Sequence, residues 1–313
     1  MPKSEMSRLS KQNQMGNIIQ FFHPGIEHNT ESGIKWHTGG HKRKFMRTKG
    51  SYVNELGQLN SGDVHFWGEW EAQSTLLENY GDSVDNKPRL LFEPFYSLES
   101  QRDCNTDPFV FGNQFYYCIC KQGHYPSMRS LETLDIILFG SHKDGDFVLD
   151  TLFVVKSGSP YSSTNIDEIR DNVNQVFFDV TVSKVLQAQK IDLLEVIEHH
   201  NGCFEFKEKE ICDSDKRNYC LTNIEESLIN YSAVMYNEKD DFDGVFSFSP
   251  CSINGRFARP KLKIDGILNS SKTQGLKISQ IKNPKDIWEL ISKQIFEQGL
   301  FLMIENVLPN KNR

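Results

Sequence analysis

No stretch of this 313-residue chain is apolar for long enough to span a bilayer. Its longest apolar runs, Phe147–Val155 and Leu300–Ile304, fall well short of the roughly 20 residues a membrane helix needs. No Lys/Arg-flanked apolar segment opens the chain, so a secretory leader is not expected. The cysteines are seven, an odd number, and no two C-x-x-C clusters occur. Reduced thiols in a cytoplasmic protein are the expectation. The spacing of Cys203, Cys212 and Cys220, with His199 and His200 nearby, matches no common zinc module. Neither G-x-x-x-x-G-K-[ST] nor H-E-x-x-H is present. These absences set aside a membrane protein, a disulfide miniprotein, a P-loop nucleotide site and a helix-borne zinc site. Neither a metal nor a cofactor is expected.

What the chain does have is aromatic bulk. Twenty-two Phe, 10 Tyr and 4 Trp are enough to fill a sizeable core, so wholesale disorder is not expected. The length suits two domains of about 150 residues each, or one large one. Charge is uneven. Residues 1–50 carry nine Lys/Arg against three acids, on a chain whose net charge is −7. A local basic patch on an acidic body suits a phosphate-bearing partner held at one place, or a solvated basic loop.

Residues 1–16 are polar and expected to be disordered. Asn17–Phe22 reads as a strand that His23-Pro24-Gly25 breaks. Residues 29–62 read as a long Gly/Thr/Ser/Lys-rich loop. Val64–Glu71 reads as a strand on which Val64, Phe66 and Trp70 do not share a face with Trp67. Phe109–Cys120 reads as extended. Leu134–Phe139 and Asp146–Val155 read as a hairpin across Gly140–Gly145. Lys156–Thr164 reads as a linker, and Thr164 or Asn165 as the cap of a helix running to about Val176. Val185–His199 is expected to be helical and Gly244–Ser249 a strand. Lys285–Gln298 has helical spacing, with Gly299 as its stop.

Chemistry concentrates in the first 125 residues. His23, His28, His37 and His41 cluster without metal-ligand spacing; His23, His28 and His41 are candidates for substrate contact. Gly39–Phe45 joins permissive backbone to Lys42, Arg43 and Lys44, which are candidates for phosphate contact. In Phe66–Glu71, Trp67 and Trp70 can stack on a base. Glu69 and Glu71, sharing a strand face, can carry protons. The alternative is an edge strand with its glutamates in water. Cys118 and Cys120 share a strand face, and Lys121 can favour a thiolate at Cys120; the alternative is a buried, inert cysteine. Asp107 is a substrate-contact candidate or a turn former.

The segment S-L-E-T-L-D-I-I-L-F-G-S (Ser130–Ser141), followed by D-G-D-F-V-L-D-T-L-F-V-V, resembles PUA-like barrels of the ASCH and EVE type. Leu134 stands where their element L-x-x-G-D has glycine. The resemblance covers residues 17–155. It implies an α+β chain: a PUA-like barrel that binds nucleic acid or reads a base, then a mixed α/β region over 165–313. The whole chain is similar to a bacterial family marked by the blocks F-H-P-G-x-E-H (Phe22–His28), H-K-R-K-F (His41–Phe45), G-E-W-E (Gly68–Glu71), N-T-D-P-x-V-F-G (Asn105–Gly112) and F-V-L-D-T (Phe147–Thr151). That family resembles accessory proteins of 7-deazaguanine DNA-modification clusters. The similarity implies a DNA-base modification enzyme that hydrates a nitrile on the deazaguanine to the amide. DNA, or a nucleotide, would be the partner, together with other proteins of the cluster. Cys120, or water activated by Glu69 or Glu71, would be the nucleophile. The alternatives are a non-enzymatic reader of modified nucleic acid and a nucleotide-sensing defence protein.

Overall fold

The computed structural model describes residues 15–23, 27, 43–82, 85–97, 106–161, 166–183, 228–269 and 275–311. The expectations for residues 1–14 and for the Val185–His199 helix lie outside them.

Strand β1 (Gly16–Phe22) turns Ile18 and Phe22 to one side and Ile19 and Phe21 to the other, and all four are buried. A strand apolar on both faces needs a packed layer on each. The same holds for β7 (Ile136–Lys143) and for the first half of β8 (Asp146–Tyr161). Among the described residues these strands form one mixed sheet. Its order is β12 (Gly275–Ile281), β1, β7, β8, β9 (Leu228–Ala233), β6 (Tyr116–Tyr117), with β11 (Lys261–Leu262) also on β8. A second mixed sheet runs β13 (Phe301–Asn306), β10 (Ser249–Ser252), β3 (Leu59–Glu69), β2 (Arg43–Val53), β5 (Leu90–Tyr96), β14 (Asn310–Lys311), with β4 (Ser74–Asn79) on β5. Strand β13 also pairs with the far end of β2, which curls that end of the sheet.

The architecture is α+β and mostly strand. Among the described residues helices are few: α1 (Ile166–Arg170) and a short helical stretch over 175–182 precede α2 (Pro284–Glu297). Helix α2 follows its sequence signals. The Asn283 side chain accepts the Lys285 N–H at 3.1 Å, Ile291 and Ile295 face the core, and Gly299 takes the positive φ of a helix stop.

Several expectations are corrected. Residues 43–62 are not loop. The polar β2 pairs residue for residue with β3 from Arg43↔Glu69 to Val53↔Leu59, so ladder pairing rather than apolar content makes it a strand. Lys156–Thr164 does not serve as a linker at its start, because β8 continues to Tyr161 and pairs with β9. The helix expected up to Val176 is interrupted after Arg170. Gly244–Ser249 yields a strand that begins only at Ser249. Both sheets draw strands from either side of residues 155–165: β12 lies on β1, and β10 and β13 lie on β3 and β2.

The hairpin of β7 and β8 turns at Asp144-Gly145. Leu134, just before it, has φ +74°, a conformation glycine adopts freely and leucine rarely does. The Asp135 carboxylate there accepts the backbone N–H groups of Asn17 and Glu132.

Candidate active site

The end of β1, the start of β2 and the end of β3 meet the middle of β8. Four charged side chains and an imidazole are buried at that junction. Arg43 and Glu69 are cross-strand partners by register, and Arg43 Nη1 donates to Glu69 Oε2 at 2.5 Å. His23 Nδ1 lies 2.8 Å from the same Glu69 oxygen and also meets Arg43 Nη2. On its other side Arg43 Nε is 3.1 Å from Asp150 Oδ2. Arg259 grips Asp150 with both arms, Nε on Oδ1 at 2.8 Å and Nη2 on Oδ2 at 2.7 Å. His23 and Asp150 come from one sheet and Arg43 and Glu69 from the other, so the cluster joins the two layers.

Local backbone places these groups. The His23 N–H donates to the Gly140 carbonyl at 2.8 Å, which ends β1 at the break the sequence marks. A Cβ on Gly140 would sit 2.2 Å from the Val148 carbonyl oxygen, so β7 and β8 close here only around glycine. The register then slips: Phe139 faces Thr151 while Gly140 faces Leu149, leaving Asp150 as the extra residue of a bulge. A bulge re-aims its side chain, and here it turns a carboxylate toward the two arginines.

Burial opposes the charge on Arg43, but Glu69 and Asp150 outweigh it and raise its pKa. Burial, with the neighbouring Arg43 charge, lowers that of Arg259 against the pull of Asp150. The formal charges of Arg43, Arg259, Glu69 and Asp150 cancel. Dry ions are tolerated when paired in this way.

A second feature adjoins the first. The Asp107 carboxylate accepts three successive backbone N–H groups: Cys118 at 2.9 Å, Ile119 at 2.8 Å and Cys120 at 2.6 Å. Tyr117 Oη donates to the Cys120 carbonyl and Tyr161 Oη to that of Cys118. The turn carrying Cys120 is therefore held at several points. Burial pushes the Asp107 carboxyl up to about 7; the three N–H groups oppose the rise and the nearby Glu69 charge adds to it. Cys120 is half-buried, whereas Cys118 and Cys251 are buried. The charge of Arg43 is felt at Cys120, as is that of Lys121. The Lys121 ammonium lies 6.0 Å from the Phe21 ring centroid and 5.9 Å from that of Tyr125. The Phe21 ring in turn packs edge-on against His23.

Of the residues singled out from the sequence, His23, Arg43, Glu69, Asp107 and Cys120 come together here. His28, His41 and Lys42 lie outside the described residues. Arg43 and Lys44 do not form a solvent-facing phosphate patch. Arg43 is spent on carboxylates, and Lys44 is buried with Nζ on the Ala72 carbonyl at 2.8 Å. Neither tryptophan offers an open face. Trp70 is fully buried against Phe111 and donates to the Gln73 carbonyl. Trp67 is covered by Phe45 and the Arg259 guanidinium. Glu71 does not share a strand face with Glu69, because β3 ends at Glu69; the Glu71 N–H donates to Thr106 Oγ1. Asp150 and Arg259 were not singled out. Their signal was a lone acid inside the apolar run Phe147–Val155, where burial demands a partner.

A scan of protein-family models, a search of curated proteins and a search of solved structures each found no match to this chain. Among the described residues no group of three or more His, Cys, Asp or Glu is arranged to hold a metal ion, and no helix is long and apolar enough to cross a membrane.

Proposed function

We propose that this chain modifies a nucleic-acid base, hydrating a nitrile carried by 7-deazaguanine in DNA to the amide, with Cys120 as the nucleophile. The observation that supports it is a half-buried cysteine on a turn whose backbone N–H groups the Asp107 carboxylate holds, next to Lys121 in sequence and interacting electrostatically with Arg43. Cationic surroundings favour the thiolate, which is the reactive form. In this reading the thiolate adds to the nitrile carbon while nitrogen takes a proton, giving a thioimidate. Water then adds to that carbon, and the C–S bond breaks to release the amide and the thiol. The sum is one nitrile plus one water to one amide, with no redox change and no need of a metal or cofactor. Proton transfer belongs to the His23–Glu69–Arg43 cluster.

The base and the DNA enter this reading through the family resemblance. Kinship with PUA-like barrels enters through Leu131–Val155, where Leu134 holds the backbone conformation expected of glycine. A reader that stacks a base on Trp67 or Trp70 is less favoured, because both rings are packed inside the protein.

The test is incubation of purified protein with DNA containing the nitrile-bearing deazaguanine, followed by mass spectrometry of the released nucleosides. Conversion to the amide by the wild type, and its loss in Cys120→Ser with the fold intact by circular dichroism, is the expected result. Undiminished conversion by Cys120→Ser would remove the covalent route. No conversion by folded wild type would remove the reaction itself.

A further inference from the structure

We propose that Asp107 is a positioning residue for Cys120: as a carboxylate it clamps the turn over 118–120 and fixes the backbone from which the thiol attacks, and on taking a proton it relaxes that clamp. The part given to Cys120 rests on the nitrile reading above; the clamp itself stands on the geometry.

Phe109 and Tyr116 face each other as an antiparallel bridge, exchanging N–H to carbonyl bonds of 2.9 and 3.0 Å. In that register the next hydrogen-bonding pair is Asp107 with Cys118. The main-chain ladder stops there, and the Asp107 side chain takes it over. Oδ1 accepts the Cys118 N–H, and Oδ2 accepts those of Ile119 and Cys120. Successive N–H groups turned on one anion make a nest, and this nest is filled from within the chain. Asp107 is anchored in its own place. Thr106, beside it, accepts the Glu71 N–H on its hydroxyl at 3.1 Å and the Thr181 hydroxyl on its carbonyl at 3.0 Å. The turn leaves through Lys121 at φ +63°, a conformation that side chains other than glycine rarely adopt and that persists where the surroundings over-determine it. Besides Tyr117 and Tyr161 on its carbonyls, Gln122 ties it to β9 by two bonds with Ile229, at 2.7 and 2.8 Å.

Both carboxylate oxygens are thereby committed to donors. A carboxylate can only accept, whereas a carboxylic acid must also place a hydrogen, and on either oxygen that hydrogen competes with an N–H. Bonds to an ionised acceptor are also the stronger ones. Burial pushes the carboxyl up to about 7, the three N–H groups pull it down, and Glu69 adds to the rise. Such coupling is reciprocal: groups that favour loss of the proton are held more tightly once it is lost. The burial cost bears on unfolding of the whole chain, and the N–H contribution bears on this turn. The other titratable groups acting on Asp107 among the described residues are Glu69 of β3, Tyr117 of β6, Cys118 on the turn and Tyr161 of β8. Burial holds Tyr117, Cys118 and Tyr161 well above their ordinary values, so they keep their protons near neutrality. Glu69 is fixed on Arg43. Asp107 is therefore the group whose proton the turn answers to.

The first test is NMR of the full-length wild type from about pH 5 to about pH 9, with nitrogen-15 in cysteine and isoleucine and carbon-13 in the aspartate carboxyls. The Cys118, Ile119 and Cys120 amide protons should move downfield together as one aspartate carboxyl titrates, with a shared midpoint at about 7. Three amides that stay still, or no aspartate carboxyl titrating above about pH 6, would overturn the clamp, and no variant has to fold for that result. His124, exposed on the same turn, is the control: His124→Gln should keep the midpoint, and its disappearance there would assign the titration to His124 and overturn the proposal. The second test sets nitrile turnover by Asp107→Asn, checked for fold by circular dichroism, beside iodoacetamide alkylation of Cys120. The kcat should fall about tenfold or more with KM within about twofold, and alkylation, which needs a thiolate but no aligned nitrile, should change less than about threefold. Equal loss of alkylation and turnover would overturn the positioning role. Unchanged turnover in Asp107→Asn would end that role and keep the nitrile reading. A clamp that titrates as expected in a protein that converts no nitrile would keep the clamp and end the nitrile reading.

Discussion

The two ends of the hairpin formed by β2 and β3 carry the same kind of contact in opposite surroundings. At one end Arg43 and Glu69 face each other across the ladder, 2% and 0% exposed. At the other, Lys49 and Asp63 are also register partners, with Nζ to Oδ1 at 2.7 Å, but they are 70% and 49% exposed. Sequence spacing does not tell them apart; each is a base paired with an acid across the same turn. The difference lies in what the second layer does. Strands β1 and β8 cover the Arg43 end and bring His23 and Asp150 to it, with Arg259 on Asp150, while Lys49 and Asp63 project into water. Water screens an exposed pair to about 1 kcal/mol or less, whereas breaking a buried pair leaves a charge with nowhere to go. One end of the hairpin can thus hold charges for chemistry, and the other contributes to solubility.

The sharpest way to break that contrast is Glu69→Gln. It should cost about 3–5 kcal/mol in urea unfolding, the usual penalty for removing one partner of a buried pair. The double variant Arg43→Met/Glu69→Met should be less destabilised than Glu69→Gln alone. It removes both members of one pair and leaves Asp150 held bidentately by Arg259. A loss below about 1 kcal/mol for Glu69→Gln would mean that the Arg43 end behaves like the Lys49 end.

Asp107 sharpens the contrast through pH. Its carboxyl titrates at about 7 in the fold, against an ordinary 3.8. Between those values the folded protein binds a proton that the unfolded chain has released. This group therefore contributes stability below about pH 4, loses it as pH rises to about 7, and changes nothing further above that. Asp107→Asn should remove that component, making the slope of stability between pH 4.5 and 7.5 less negative than in wild type. Its amide nitrogen cannot accept the N–H groups that Oδ2 now holds, so Cys120 should also become more mobile. An unchanged slope would mean that Asp107 ionises as freely as a surface carboxylate.

Much of this site was legible because its chemistry-bearing residues sit at breaks in the apolar pattern. His23 marks the end of β1, and Glu69 and Cys120 stand at the ends of aromatic runs. Helix α2 and the hairpin of β7 and β8 were legible for a related reason, since period and turn residues are local properties. Strand β2 was not, because Arg43–Val53 has the composition of a loop and becomes a strand only through its partners β3, β5 and β13. The partnership of Asp150 with Arg259 joins residues 109 apart, and no local pattern encodes it. The basic run misled for the same reason. Lys/Arg composition suggests a solvated patch, yet Arg43 and Lys44 point to opposite faces of β2 at its start, where both faces are covered.

The smallest effect is expected at the exposed end. The Lys49 ammonium holds the Asp63 carboxyl below its ordinary range, chiefly by their hydrogen bond. A depressed carboxyl contributes stability above its unfolded pKa and loses it as pH falls through its folded one, so this contribution is present at neutral pH and fades in acid. Because both side chains are largely in water, Lys49→Ala should cost only about 0.2–1 kcal/mol in low salt. The loss should shrink further in 1 M salt, where screening acts over about 3 Å. The Glu69→Gln loss should be nearly insensitive to the same salt, since ions do not enter the layer between the sheets. Equal salt dependence at the two ends would show that the Arg43–Glu69 pair is reached by solvent, and would remove the dry surroundings on which its contrast with Lys49–Asp63 depends.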